Sequence, residues 1–399
     1  MSTGGVCHHT AIKVKPMQAG HTMGQMTPQR LIGRINHGTP VADVRSRESY
    51  DQWHIPGAIH LPYDADEDEF GKDPNELFDE GETVVTVCAH GNTSRQAAAA
   101  LSRRGFDVAT LEDGMLGWSQ VFDVVDIDFG SDLVFKQAKR VANGCLSYVL
   151  GADGEAMIVD PVQYTDVFRR NLEGDDRLRD ENGDIDVKYV ALTHIHADHI
   201  SSSCELAAEY DAELVVGAPV SDRTDQPDGC SEYTLVEDGD VLEVGGHDIE
   251  ALHTPGHTME STSYLVDDAA MLTGDTQFVD SVGRPDLEHG DEGAEEHAEV
   301  LYETIFETIL EHDDDVSIFP AHYGGGEVDA GTPVTATIGE VKETNPAVQK
   351  GSREAFVDYI IEQLGSKPAN HDEIIAINEG KREVTDPEIE LGPNKCAVD

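Results

Sequence analysis

The stretch KYVALTHIHADH, residues 188–199, is a short apolar run that breaks directly into His194, His196, Asp198 and His199. Imidazole nitrogen and carboxylate oxygen are the usual ligands of zinc and non-haem iron. Crowding four of them immediately after a strand puts several on one rim. The same device recurs in IEALHTPGHT (249–258), AAMLTGDT (269–276) and VSIFPAHYG (316–324), which contribute His257, Asp275 and His322. Rigid strands that end in ligand-bearing loops are how α/β proteins assemble sites from distant parts of a chain. A polar loop carrying ordinary surface histidines would not be followed by three further matching ligand positions.

The rest of the chain frames this signal. Its 399 residues suit two or three domains, and 39% hydrophobic residues allow real cores. The formal charge of −52, from 79 Asp and Glu against 27 Lys and Arg, is spread along the chain rather than gathered in a tail. We read it as the solvated carboxylate surface of a folded, halophilic protein, whose self-repulsion is screened by salt. It argues against nucleic acid and anionic membranes as partners. The first twenty residues, MSTGGVCHHTAIKVKPMQAG, lack a signal-peptide core, and no window approaches a membrane span, so a cytoplasmic location is expected. In a reducing cytosol the six cysteines are expected as thiols: Cys88 is singled out below, and Cys7, Cys145, Cys204, Cys230 and Cys396 are taken as structural. Cys7, His8 and His9 are weak candidates for adventitious metal binding.

Within the first segment, strand signals in TPVADVR, AIHLPY, ETVVTV and DVAT alternate with the helix former SRQAAAALSRRG, which implies a mostly parallel sheet. The pattern restarts near VVDIDFGSD (124–132). The expected organisation is therefore an extension over 1–24, a first domain over 25–125, a second over 130–370, and a poorly ordered acidic tail over 371–399. REAFVDYIIEQLG (353–365) reads as an amphipathic helix, and 173–186 as an acidic surface loop.

The ordered set HxHxDH, TPGHT, TGD and PAH resembles the metallo-β-lactamase superfamily over roughly residues 130–350. That resemblance implies a four-layer αββα sandwich and a seven-position ligand set: His194, His196, Asp198, His199, His257, Asp275 and His322. VGRPDLEHG (282–290) and TIGEVKETNPAV (337–348) are similar to stretches of its persulfide dioxygenase branch. That branch implies one Fe(II) per chain on His194, His257 and Asp275, with His196, Asp198, His199 and His322 orienting ligands, and Arg284 and Asp286 on the substrate. The related glyoxalase II branch implies two Zn(II) ions or a mixed Zn/Fe pair across all seven, hydrolysing a thioester.

VADVRSRESYDQWHIPGAIHLPY (41–63), VTVCAHGNTSRQAAAALSRRGF (85–106) and VATLEDGMLGW (108–118) together resemble a single rhodanese domain over about residues 25–122. A strand-end cysteine is commonly a small buried residue, but a glycine-bearing loop followed by a helix makes an anion cradle. The resemblance makes Cys88 the nucleophile, carrying a persulfide in the loop Ala89, His90, Gly91, Asn92, Thr93 and Ser94. Thr93 stands where the family loop has an arginine, with Arg95 two residues on, which weakens recognition of an anionic sulfur donor.

Joined, the two halves imply a sulfur-metabolism enzyme that oxidises a small thiol persulfide with O₂ to sulfite and thiol, with Cys88 exchanging sulfur with a donor or acceptor. The alternative is a dinuclear thioester hydrolase with a rhodanese appendage. A third reading is a carrier whose first domain only docks a sulfur-relay partner. A homodimer is left open.

Overall fold

The computed structural model describes residues 24–384 apart from 36, 80, 129, 289, 291, 324–329 and 368–369, together with 389, 390 and 396. The Cys7, His8, His9 group lies outside the described residues.

The first domain is a parallel sheet of five short strands, Gly24–Met26, Val41–Asp43, Ile59–His60, Thr83–Val87 and Asp107–Leu111. In space their order is first, fifth, fourth, second, third. The β-branched run of Thr83–Val87 is buried beyond its first residue, as a central parallel strand requires. The alanines of helix Asn92–Arg103 let it lie close on the sheet, where Ala98 and Leu101 pack with Val84 and Val108.

The second domain stacks two sheets. Phe122–Ile127, Val134–Arg140, Cys145–Ala152, Glu155–Val159, Asp186–Ala191, Glu213–Gly217 and Thr234–Val236 form the first, each beside its neighbour in sequence. Val241–Val244, His247–His253, Thr262–Val266, Ala270–Gly274, Ser317–Pro320 and Ala336–Thr337 form the second in the same way. Period-two alternation sorts their side chains. Met157, Val159, Tyr264, Leu272 and Phe319 meet between the sheets. Ala156 and Ile158 face outward onto helices Asp166–Glu173 and Ser203–Tyr210, where Phe168 and Leu206 are fully buried. On the other side Leu265, Met271 and Ile318 face helices Ala294–Glu307, Ile338–Thr344 and Arg353–Gln363. The expected αββα sandwich and parallel-sheet domain are both present.

Three expectations are corrected. Phe122–Ile127 pairs antiparallel with Val134–Arg140, so it belongs to the second domain and the break falls before residue 122, not after 125. Alternating charge in FDVVDI hid an edge strand whose Asp126 pairs with Lys136 at 2.9 Å. The segment from 371 is not a loose tail in its described parts: His371–Asn378 is a helix, and Glu390 and Cys396 are buried. Apolar Ile374 and Ile377 supply the packing that an acid-rich composition obscured. Finally, Cys204 and Cys230 form a disulfide. The fold sets the start of helix Ser203–Tyr210 against the turn Pro227–Gly229, where the Ser203 hydroxyl donates to Asp228. Among the described residues no helix is long and apolar enough to cross a membrane.

Candidate functional site

The four ligand-bearing runs end as the sequence suggests. Strands Asp186–Ala191, His247–His253, Ala270–Gly274 and Ser317–Pro320 each stop within four residues of a ligand, and their loops meet at one edge of the sandwich. His194, His257 and Asp275 converge so that their donor atoms lie within 4.8 Å of one another. Each histidine Nε2 is 3.6 Å from Asp275 Oδ2. These three buried atoms have no hydrogen-bond partner, so a cation is the group their chemistry fits.

Their remaining atoms are fixed. The Thr193 hydroxyl stands 2.9 Å from His194 Nδ1. His257 Nδ1 donates to the Arg284 carbonyl at 2.8 Å, which turns the Nε2 lone pair toward the centre. His322 Nδ1 contacts Asp275 Oδ1 at 2.5 Å. Burial, then the neighbouring His196 and His257, push His194 well below the ordinary imidazole range, and burial lowers His257. Burial works against the Asp275 carboxylate, but His322 prevails and holds the carboxyl below its usual value. Two neutral imidazoles and an ionised carboxylate are the protonation states a metal requires.

The other four predicted ligands divide. His322 Nε2 lies 2.7 Å from Asp198 Oδ2, and His199 Nδ1 lies 3.2 Å from Asp198 Oδ1. Burial opposes the charged form of His322, yet Asp198 and Asp275 on either side keep it protonated well above the usual range. Cys145 joins this second cluster, 3.3 Å from Asp198 Oδ2 and 3.6 Å from His199 Nδ1. Cys145, Asp198, His199 and His322 thus form a second group that can hold a cation. His196 enters neither group: its Nε2 is 3.2 Å from Asp160 Oδ1.

Sequence reasoning missed the residues that hold the irregular stretch 193–201 in place. Asp160 accepts the N–H and hydroxyl of Thr193, both at 2.8 Å. Glu260 accepts the Ile195 N–H at 3.1 Å, and Glu390 that of Ile200 at 2.7 Å. Asn378 donates to the carbonyls of His196 and His199 and accepts from Ser201. A backbone with no ladder of its own needs such partners. The one local signal was Asp160 standing between a buried strand and a proline.

Arg284 and Asp286 are buried and pair with each other at 2.7 and 2.9 Å, and the Arg284 guanidinium also donates to the carbonyls of Gly365 and Ser366. Arg284 therefore serves the metal centre through its backbone carbonyl. Asp286 in addition lines a cavity of about 620 Å³ with Val357, Leu364 and Lys367. Gly283 precedes Arg284 because a Cβ there would overlap the Asp275 carbonyl and come within 2.9 Å of His257 Cβ.

In the first domain Cys88 is 5% exposed beside Val44 and Ala97. The Ser94 N–H points at its Sγ from 3.3 Å, and Sγ is 3.4 Å from the Ser94 hydroxyl. Ala89, His90 and Asn92 are on the outside of the loop, Gly91 is buried, Thr93 is half-buried, and Arg95 is exposed on the following helix. The loop is closed from above by helix Gly114–Trp118. The N–H groups of Met115 and Leu116 donate to the carbonyls of Cys88 at 2.8 Å and Ala89 at 3.1 Å. Gly114, at φ 62°, permits this: a Cβ would overlap the Cys88 carbonyl and come within 2.8 Å of Ala89 O and Gly91 N.

Fold and donors together define an αββα domain whose edge carries donor groups able to hold a cation, preceded by a small α/β domain with one buried cysteine at a strand end. Residues 27–121 match the rhodanese-like domain family and residues 140–322 the metallo-beta-lactamase superfamily, so the chain carries a rhodanese-like domain followed by a metallo-beta-lactamase domain. It is 36% identical over 96 residues to a hydroxyacylglutathione hydrolase of Rhodopseudomonas palustris, covering 24% of this chain and 36% of that one. It is 29% identical over 164 residues to human mitochondrial persulfide dioxygenase ETHE1, covering 40% of this chain and 59% of that one. The chain thus spans less than two thirds of the length of these curated relatives. The crystal structure of ETHE1 from Myxococcus xanthus superposes with a TM-score of 0.51 at 27% identity, over 62% of this chain and 98% of that one.

Proposed function

We propose that the protein oxidises the persulfide of a small thiol: RSSH + O₂ + H₂O → RSH + SO₃²⁻ + 2 H⁺, the sulfane sulfur giving up four electrons to O₂. The observation that carries this reading is the three-donor group of His194, His257 and Asp275, two imidazoles and one carboxylate already converged and with their facing atoms unpaired, a group that His196 does not join. A bound ferrous ion would supply open positions for persulfide and O₂ together. The chain's own residues present the ligands in their binding states: neutral His194 and His257 and an ionised Asp275. His322, between Asp198 and Asp275, holds a proton at the centre's edge for the thiolate that departs. In the first domain Cys88 takes up sulfane sulfur as a persulfide stabilised by the Ser94 N–H and hydroxyl. It then passes that sulfur to a thiol, or to sulfite to give thiosulfate. The small thiol, the sulfur donor, O₂ and a cytoplasmic setting belong to this proposal.

Oxygen uptake by iron-loaded protein with glutathione persulfide tests it. Absence of uptake alongside brisk hydrolysis of S-lactoylglutathione would establish the second reading, a dinuclear thioester hydrolase. That reading is favoured by the second donor group of Cys145, Asp198, His199 and His322. Two metals per chain would support the hydrolase and one iron the dioxygenase.

A further inference from the structure

Two buried charged residues at the domain junction take no part in the chemistry above. Arg140 closes strand Val134–Arg140 and is 1% exposed. Its Nε donates to the Ser119 carbonyl at 2.8 Å, and its guanidinium lies 4.7 Å over the Tyr164 ring. Nη1 is 2.6 Å from Glu390 Oε1, which the Gln163 amide also reaches. The second oxygen, Glu390 Oε2, accepts the Ile200 N–H at 2.7 Å.

Each end of this link abuts a candidate site. Ile200 follows His199 of the metal loop. Ser119 caps helix Gly114–Trp118, the helix whose first N–H groups hold the Cys88 and Ala89 carbonyls. A line of hydrogen bonds and one buried ion pair therefore runs from the Cys88 loop through Ser119, Arg140 and Glu390 to the metal loop. A buried ion pair is seldom more stabilising than an apolar pair of the same shape, so stability alone does not account for it. Directionality does: a carboxylate held by Arg140 is a strong, oriented acceptor for one N–H of a loop that lacks secondary structure.

We propose that Glu390 is a positioning residue for the metal loop, and that Arg140 anchors it to the rhodanese-like domain. The docked first domain and the carboxy-terminal segment are then parts of the metal centre. This rests on residues 194–199 forming a metal-binding loop and not on which reaction occurs there.

The test uses the full chain and Co(II) as probe, reading affinity by chelator competition, the Co(II) absorption spectrum, and amide hydrogen exchange over residues 195–201. Glu390→Ala should weaken Co(II) binding by about tenfold or more, shift the spectrum and speed exchange in the loop. Glu390→Gln keeps an acceptor for the Ile200 N–H but turns its NH₂ toward Arg140 and leaves that cation without its charge partner, so its affinity should fall between wild type and the Ala variant. The double variant Arg140→Met/Glu390→Leu replaces the ion pair by an apolar pair and so separates positioning from misfolding. It should show the same loss as Glu390→Ala. Wild-type affinity, spectrum and exchange in the double variant or in Glu390→Ala would overturn the proposal. Since the readout is metal binding rather than turnover, a failed dioxygenase assay leaves this result standing on its own.

Discussion

His196 Nε2 stands 3.2 Å from Asp160 Oδ1 and lies outside the convergent group of His194, His257 and Asp275. Two neighbouring histidines of one motif thus have different surroundings, one in the convergent group and one beside a buried carboxylate. His257→Ala should therefore abolish iron binding, whereas His196→Asn should retain about one iron per chain. Elemental analysis of the two variants checks this, and equal loss of iron from both would remove the three-donor reading.

Gly114 is the contact on which the Cys88 loop closes. Gly114→Ala introduces an overlap with the Cys88 carbonyl at a positive φ. Overpacking and left-handed strain together should cost about 2–4 kcal/mol and abolish sulfur transfer to cyanide. Metal content, set in the other domain, should not change. Denaturant unfolding and a sulfurtransferase assay measure the two effects.

Cys145 is a thiol, not a standing thiolate. Burial first, then the Asp198 charge, push its pKa up to about 12. A raised acid pKa means the neutral form persists to high pH, so at pH 8 roughly one molecule in ten thousand carries the reactive thiolate. In chelator-treated folded protein iodoacetamide should leave Cys145 unlabelled, and labelling should appear only on denaturation. Peptide mass spectrometry reads the outcome.

The Cys204–Cys230 disulfide closes a loop of 26 residues directly after the metal loop. Chain-entropy reasoning assigns it about 3.5 kcal/mol. Cys204→Ser/Cys230→Ser should lower unfolding stability by that order, a difference that vanishes when wild type is measured in reductant.

The charge of −52 makes a prediction about salt. With few cations to pair them, most surface carboxylates repel one another, and screening should favour the compact state. The melting temperature should rise from about 0.1 M to about 2 M KCl, where the screening length contracts from about 10 Å to below 3 Å. A flat or falling curve would sink the halophilic reading.

The sequence by itself determined the two folds and the seven His and Asp candidates, but not Cys145. Both depend on local chemistry: an apolar run of strand length followed at once by His or Asp leaves little choice about which residues reach the sheet edge. The cysteine loop was legible for the same reason, being a strand end, a glycine and a helix start in one stretch. The tertiary structure alone decided how those residues divide. Whether His196 faces a metal or Asp160 depends on a side chain 36 positions earlier. Cys145 reaches Asp198 across 53 residues, and Glu390 reaches Ile200 across 190. The same holds for the Cys204–Cys230 bond and for the edge strand Phe122–Ile127, which only its partner Val134–Arg140 reveals. Periodicity and spacing report on what a residue does to its own segment. Pairings between segments carry no local signature, because they are set by which surfaces the packed core brings face to face.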